Sequence, residues 1–288
     1  MIGSASAPAS SANLGPGFDV LALALSLRCS ASAEPSETMT LTEGPSTSRL
    51  DDSDIISRAV MAAVDKPMHI TLENEIPRSR GLGSSSAVAA AVAGAALKSI
   101  GASDDRSRVF EIVIEIEGHA DNAAATVFGG LLAAIPGGIQ RLDLHQSLHP
   151  VVGIPAAHLK TADAREVLSA DVPRDVAARS LARLAFLIEG LATGDKATLA
   201  HAAGDELHES VRAHLSPVTG DLITAALSAG ALHACWSGAG PAALAFVTGE
   251  SKGRVIGAMA GVLGTNGEVL ALPVDTEGLR QGSGLNGS

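Results

Sequence analysis

Pro77-Arg-Ser-Arg-Gly-Leu-Gly-Ser-Ser-Ser86 separates an alternating stretch, Met68 to Glu73, from a run of small apolar residues, Ser84 to Ile100. Alternation with period two predicts a strand, and the Ala/Val-rich run predicts a helix. The decapeptide is therefore a turn that opens a helix. Gly81 and Gly83 lack Cβ atoms and let backbone N–H groups crowd round an anion. The helix adds its unpaired first-turn N–H groups and the positive end of its dipole at the same place. The hydroxyls of Ser84, Ser85 and Ser86 can bond phosphate oxygens or a magnesium ion. The run is not a Walker loop, since no Gly-Lys-Ser/Thr is present, and Gly81-x-Gly83 lacks the third glycine of a dinucleotide fingerprint. By its residues alone it is equally an ordinary glycine turn with serine caps.

Two further turns stand out. Ser237-Gly-Ala-Gly-Pro241 lies between two apolar strands and by itself reads as a hairpin. Ser11-Ala-Asn-Leu-Gly-Pro-Gly-Phe-Asp19 sets an amide, Asn13, and a carboxylate, Asp19, around a tight turn, where alone they serve as turn and cap residues. No Gly-x-Ser-x-Gly elbow supports a serine hydrolase. Elsewhere periodicity predicts strands over 21–33, 38–42, 128–134, 151–159, 234–239, 242–248 and 269–274. It predicts helices over 54–64, 106–117, 176–193, 196–203, 220–229 and 252–263. Both halves mix strands with helices, so the class is α/β plus α+β with a boundary near residue 150. We expect domains over 1–150 and 151–276, and a flexible tail over 277–288.

Composition excludes several functions. The 288 residues are 46% hydrophobic and 18% charged, enough to bury a core. Aromatics are 2%, with no Tyr and one Trp, which argues against stacking platforms for single-stranded nucleic acid. The net charge of −11 argues against a phosphate-backbone binder. Cys29 and Cys235 make no disulfide framework. The apolar run Ala87 to Leu97 falls far short of the roughly 18 residues needed to span a bilayer. No cationic segment precedes an apolar run at the N-terminus. The expectation is a soluble cytoplasmic protein that binds neither nucleic acid nor membrane.

Taken in order, the three turns resemble the motifs of the GHMP small-molecule kinases, the superfamily of galactokinase, homoserine kinase, mevalonate kinase and phosphomevalonate kinase. Pro8 to Leu25 is similar to the first motif in its homoserine kinase form, Pro77 to Ser86 to the phosphate-binding motif, and Ser237 to Pro241 to the third. Glu115-Ile-Glu-Gly-His-Ala-Asp-Asn122, Thr161-x-x-Ala-Arg165 and Asp205-Glu-Leu-His-Glu-Ser-Val-Arg212 also resemble segments of the homoserine branch. The likeness runs from about residue 8 to 275. It implies a two-domain GHMP kinase fold: a ribosomal-S5-like N-terminal half with a left-handed crossover, and a ferredoxin-like C-terminal half. It also implies a homodimer that phosphorylates the hydroxyl of L-homoserine with ATP and Mg²⁺.

The resemblance assigns roles as well. Pro77, Arg80, Gly81, Leu82, Gly83, Ser84, Ser85 and Ser86 would hold ATP. Ser85 and Glu115 would hold Mg²⁺, a hard cation that takes oxygen ligands. Glu117, two residues further along the helix, is expected to face elsewhere as a solvated charge. Asp19 would take the substrate ammonium, and Arg165 and Arg212 its carboxylate. Asn13, His119 and Asn122 would line the hydroxyl end, with Asn13, Glu115 and Asn122 as the catalytic set. The branch places an amide at the reacting hydroxyl, so the proton passes to the γ-phosphate, with Asp121 the rival base.

Three positions depart from the family pattern. Met1 to Ala7 is Gly/Ser/Ala-rich where a clear strand is usual, Asp54 stands for Asn on the adenine side, and Ser86 stands for Ala. The rival readings are a kinase of the mevalonate or shikimate type, whose substrates lack an ammonium, and an inactive sensor of nucleotide or amino acid.

Overall fold

The computed structural model of the chain describes residues 1–102 and 104–282. Its N-terminal half begins with β1 (Gly3–Ala12), β2 (Leu21–Pro35) and the β3 (Thr40–Glu43)–β4 (Ser46–Arg49) hairpin. α1 (Ile55–Val64), β5 (Met68–Asn74), α2 (Ser84–Ser99), α3 (Arg106–Glu117) and α4 (Asp121–Phe128) follow, and then the β6 (Leu131–Ile135)–β7 (Gly138–Leu142) hairpin. In the sheet, β1, β2, β5, β3 and β4 lie side by side in that order. Only β3 and β5 run parallel, and β6 pairs with the start of β2.

β1 shows why Met1 to Ala7 looked unlike a strand. It is built from Gly, Ser, Ala and Pro alone, and all but Ser6 are buried. With small residues on both faces, no apolar–polar alternation survives. The small side chains let α2 approach closely: a Cβ on Gly3 would lie 2.3 Å from the Ala95 carbonyl oxygen. α2 answers in kind, with Ala, Gly and Val buried all round. Close packing of this sort replaces bulk with contact density.

The C-terminal half holds β8 (His149–Pro155), α5 (Thr161–Glu166), α6 (Arg174–Thr193), α7 (Lys196–His201), α8 (Glu209–Arg212), α9 (Pro217–Ser228), β9 (His233–Trp236), β10 (Ala243–Val247), α10 (Lys252–Leu263) and β11 (Gly267–Ala271). The sheet is antiparallel in the order β11-β8-β10-β9. Leu222 of α9 and Val255 and Met259 of α10 cover one face, against Val151, Ala243 and Ala245. The succession β8-α9-β9-β10-α10-β11 is a ferredoxin-like sandwich, with α5 to α8 inserted after its first strand. Among the described residues no helix is long and apolar enough to cross a membrane.

The tail differs from expectation. β12 (Arg280–Gly282) pairs antiparallel with β1 and covers its open edge. Leu279 is 1% exposed, and the Gln281 amide donates to the Gly94 carbonyl at 3.0 Å. Arg28, pairing with the buried Asp275 and donating to the Gly278 carbonyl, anchors the segment. Residues 280–282 are therefore part of the N-terminal sheet and 277–279 pack onto that half as their lead-in, because an edge this rich in buried small residues needs a cover; 283–288 lie outside the described residues. The strand expected over 128–134 splits into the end of α4 and β6, broken by Gly129 and Gly130, both at positive φ. A Cβ on Gly129 would lie 2.5 Å from the Gly278 nitrogen, so only glycine admits the returning tail.

Candidate active site

Three turns from both halves are stitched together. Asn13–Asp19 joins β1 to β2, Arg80–Gly83 enters α2, and Ser237–Gly240 joins β9 to β10. The Ser10 N–H donates to the Leu82 carbonyl at 3.1 Å, and the Gly238 N–H to the Ala12 carbonyl at 3.0 Å. The Ser237 hydroxyl donates to the Gly81 carbonyl at 2.7 Å. A Cβ on Gly81 would sit 2.1 Å from the Ser237 carbonyl oxygen, and one on Gly83 would sit 2.1 Å from Ser10 Oγ. With φ of +78° and +63°, both positions demand glycine twice over.

These turns wall a cleft of about 130 Å³ whose lining includes Asn13, Asp19, Arg80, Gly81–Ser86, Glu117, His119, Asp121, Asn122, Arg165 and Arg212. On the phosphate side, Gly83 is the N-cap of α2 and offers no side chain to its first turn, so the N-terminal amides are left for a ligand. The three serines do different things. Ser84 is buried and accepts from the Asn74 amide at 3.1 Å, and Ser86 is 1% exposed. Ser85 is exposed, and its hydroxyl donates to the Glu117 carboxylate. Arg80 is held by the Pro155 carbonyl and, at 3.2 Å, by His158. Pro77 does not line the cleft.

The carboxylate beside Ser85 is Glu117, not Glu115. Glu115 is exposed on α3 and lines surface hollows with Phe110 and Arg58. Two residues along a helix turn a side chain by roughly 200°, so one glutamate of the pair faces the loop and the other faces away. Sequence reading expected Glu115 beside Ser85 and Glu117 facing elsewhere; their placement is the reverse. Among the described residues, no three His, Cys, Asp or Glu side chains are placed to hold a metal. Ser85 and Glu117 are two hard oxygen donors, a set that suits a Mg²⁺ ion completed by phosphate oxygens and water.

On the other side, Asn13 folds the β1–β2 turn. Its Nδ2 donates to the Gly238 carbonyl at 3.0 Å, and its Oδ1 accepts from the Asp19 N–H at 3.0 Å. Asn13, Leu14 and Asp19 all have positive φ, a conformation that costs about 1–2 kcal/mol per residue. Asp19 accepts both arms of Arg165, at 2.8 and 3.1 Å. The expected ammonium and carboxylate ligands thus bind one another. That hydrogen-bonded carboxylate holds the Arg165 guanidinium above its ordinary range. Arg212 is 1% exposed; its Nε donates to the Ala164 carbonyl at 2.9 Å, and it lies 5.5 Å from the Phe18 ring centre. Burial brings its pKa down to about 10, so it stays cationic. Asn122 Oδ1 accepts from the Ser10 hydroxyl at 2.8 Å. His119 Nδ1 lies 3.4 Å from Asp121, whose carboxyl is pushed up by burial.

Three features escaped sequence reading. Glu117 could have been found from its place one residue before Gly118-His119, where the helix ends at the cleft. His208, four residues before Arg212, contacts that arginine at 3.1 Å. Glu209 is buried, accepts from the Trp236 N–H at 2.7 Å, and is pushed up to about 8 by burial. A second hollow continues from the cleft through Ser79, Ser84 and Ser85 to Leu41, Asp54 and Val88. There Asp54 caps α1, accepting from the Ile56 N–H at 2.8 Å.

The chain is similar to known proteins over most of its length. The family described as GHMP kinases N terminal domain matches residues 54–130, and that described as GHMP kinases C terminal matches 187–263. The chain is 38% identical over 277 residues to a homoserine kinase of Thermus thermophilus, covering 93% of this chain and 94% of that one. It is 36% identical over 277 residues to the homoserine kinase of Moorella thermoacetica, covering 90% and 92%. A crystal structure of homoserine kinase from Cytophaga hutchinsonii superposes with a TM-score of 0.86 at 24% identity, covering 97% of each chain.

Proposed function

The chain belongs to the GHMP kinase family, among its homoserine kinases, and from that premise we propose that it transfers the γ-phosphoryl group of ATP to the hydroxyl of L-homoserine. The observation that carries the reading is one cleft with two kinds of wall. One wall is an uncapped helix N-terminus with Ser85 and Glu117. The other bears Asp19, Arg165 and Arg212, charges of both signs that suit an amino-acid zwitterion.

The residues divide the work. The Gly81–Ser86 backbone receives the triphosphate, and the hollow beyond Ser85 takes the adenine. Ser85 and Glu117 hold Mg²⁺, which when bound neutralises charge on the phosphates. Asp19 exchanges Arg165 for the substrate ammonium, freeing that guanidinium for the carboxylate. The exchange is cheap, because both side chains are more than a third exposed and such pairs contribute about 0–1 kcal/mol. Arg212 is a fixed second donor to the carboxylate. Asn13 and Asn122 orient the hydroxyl. Phosphoryl transfer through a loose transition state asks for little more than placement and charge neutralisation, so the hydroxyl proton leaves to the γ-phosphate without a protein base.

Incubation of the chain with ATP, Mg²⁺ and L-homoserine, read by phosphorus NMR, tests the reading. A new phosphomonoester on the homoserine side chain supports it; ADP and inorganic phosphate alone overturn it.

A further inference from the structure

Two imidazoles not used above lie behind the Asn13–Asp19 turn. The His208 side chain is fully buried and His233 is 1% exposed. His208 Nε2 is 2.9 Å from the Gly15 carbonyl oxygen, and His233 Nε2 is 3.1 Å from that of Leu14. A carbonyl only accepts, so each Nε2 carries the hydrogen. His208 Nδ1 is 3.1 Å from Arg212 Nη1. A guanidinium only donates, so that Nδ1 is bare. The two contacts fix one neutral tautomer. His208 also stacks on Phe18, with ring centres 5.1 Å apart. His233 makes the turn contact only, and its Nδ1 has no partner among the described residues.

The turn needs such support. Asn13 and Leu14 sit at φ of 71° and 54°, and non-glycine residues persist there only where their surroundings over-determine them. His208 bonds both this turn and Arg212 through its own side chain, alongside the Gly238 carbonyl, which accepts from Asn13 Nδ2 at 3.0 Å and from Arg212 Nη1 at 3.4 Å. We propose that His208 is a positioning residue that sets Arg212 in register with the Asn13–Asp19 turn, so that Asp19 and Arg212, on one wall of the cleft, keep the spacing of one amino acid. The proposal rests on reading Arg212 as a ligand of the substrate carboxylate.

The first measurement is the nitrogen-15 spectrum of the full chain labelled at histidine, with His208→Gln assigning the signal. A neutral ring protonated at Nε2 at pH 7 is expected; an imidazolium or the Nδ1–H tautomer overturns the proposal. The second is kinetic. His208→Gln keeps a donor toward Gly15 but removes the acceptor facing Arg212. It should raise KM for homoserine about tenfold, leave KM for ATP within about twofold, and add no further loss to Arg212→Lys. Multiplying losses, or equal rises in both KM values, overturn it. If Arg212→Lys by itself binds homoserine normally, the carboxylate reading fails, and the tautomer still decides whether His208 braces the arginine against the turn.

Discussion

Arg165 and Asp19 face each other as a two-pronged ion pair, 146 residues apart in sequence, at the mouth of the cleft. A zwitterion can take the place of each partner for the other. A monoanion that claims Arg165 strands Asp19 without a counter-charge. We therefore expect 4-hydroxybutyrate, which lacks the ammonium, to be a far poorer substrate than homoserine. Asp19→Asn should lower kcat/KM for homoserine and narrow the gap between the two compounds. Equal losses for both would mean that Asp19 serves only to shape the Gly15–Gly17 turn.

Glu117→Gln should reduce kcat at least about a hundredfold, or about 2.7 kcal/mol of barrier, because it removes the only charge touching Ser85 among the described residues. Glu115→Gln should stay within about twofold of the parent. Steady-state rates across a magnesium titration check both, and a reversal of the two effects would return the metal to Glu115.

Which parts of this were legible depends on where the signal lies. The helices 106–117 and 252–263 were found to the residue, since caps and apolar spacing agree. β1 was not, because Gly, Ser and Ala carry no hydrophobic contrast even when buried. β12 was hidden for a related reason: Arg280, Gln281 and Gly282 become a strand only because β1 offers an open edge. Within the site, the glycine turns were legible as turns, whereas the choice between Glu115 and Glu117 needed the rotation of α3 about its axis. The pairing of Asp19 with Arg165 is a long-range contact to which no local pattern points.

Arg212→Leu should raise KM for homoserine about ten- to a hundredfold, the loss of a charge-assisted bond worth about 1.5–3 kcal/mol. Arg212→Lys should recover only part, since an ammonium cannot reach the Ala164 carbonyl and a substrate carboxylate as a planar fork does. Titration of homoserine at saturating ATP is the check, and full recovery by Lys would contradict the geometry.

Stability should pass through a maximum near pH 6.5. Burial lowers His208 and His233 to about 4, so between pH 4 and about 6.5 the unfolded chain binds up to two more protons at these sites and stability rises with pH. Burial raises Glu209 to about 8, so from its ordinary value up to pH 8 the folded chain holds the extra proton and stability falls. Among these three groups the two histidines outweigh the glutamate below pH 6.5, and above it the glutamate sets the slope, at up to about 1.4 kcal/mol per pH unit, in the same direction as Asp121, which burial also raises. Denaturant unfolding at a series of pH values should show this dome, and Glu209→Gln should flatten its alkaline limb. An unchanged limb would remove Glu209 as the cause.

Asp121→Asn should keep kcat within about tenfold, since Asp121 Oδ1 already accepts from the Asn122 N–H at 2.7 Å and phosphoryl transfer tolerates the absence of a base. Near-abolished turnover in a folded variant would make Asp121 the base instead.

The central claim is that this cleft selects a hydroxyl-bearing amino acid for phosphorylation. The most direct measurement is kcat/KM by ADP release over a panel of alcohols: L-homoserine, 4-hydroxybutyrate, mevalonate and shikimate. The account predicts that homoserine is preferred over each of the others by at least about tenfold, the lower value of one charge-assisted contact. Faster turnover of mevalonate or shikimate than of homoserine would contradict it.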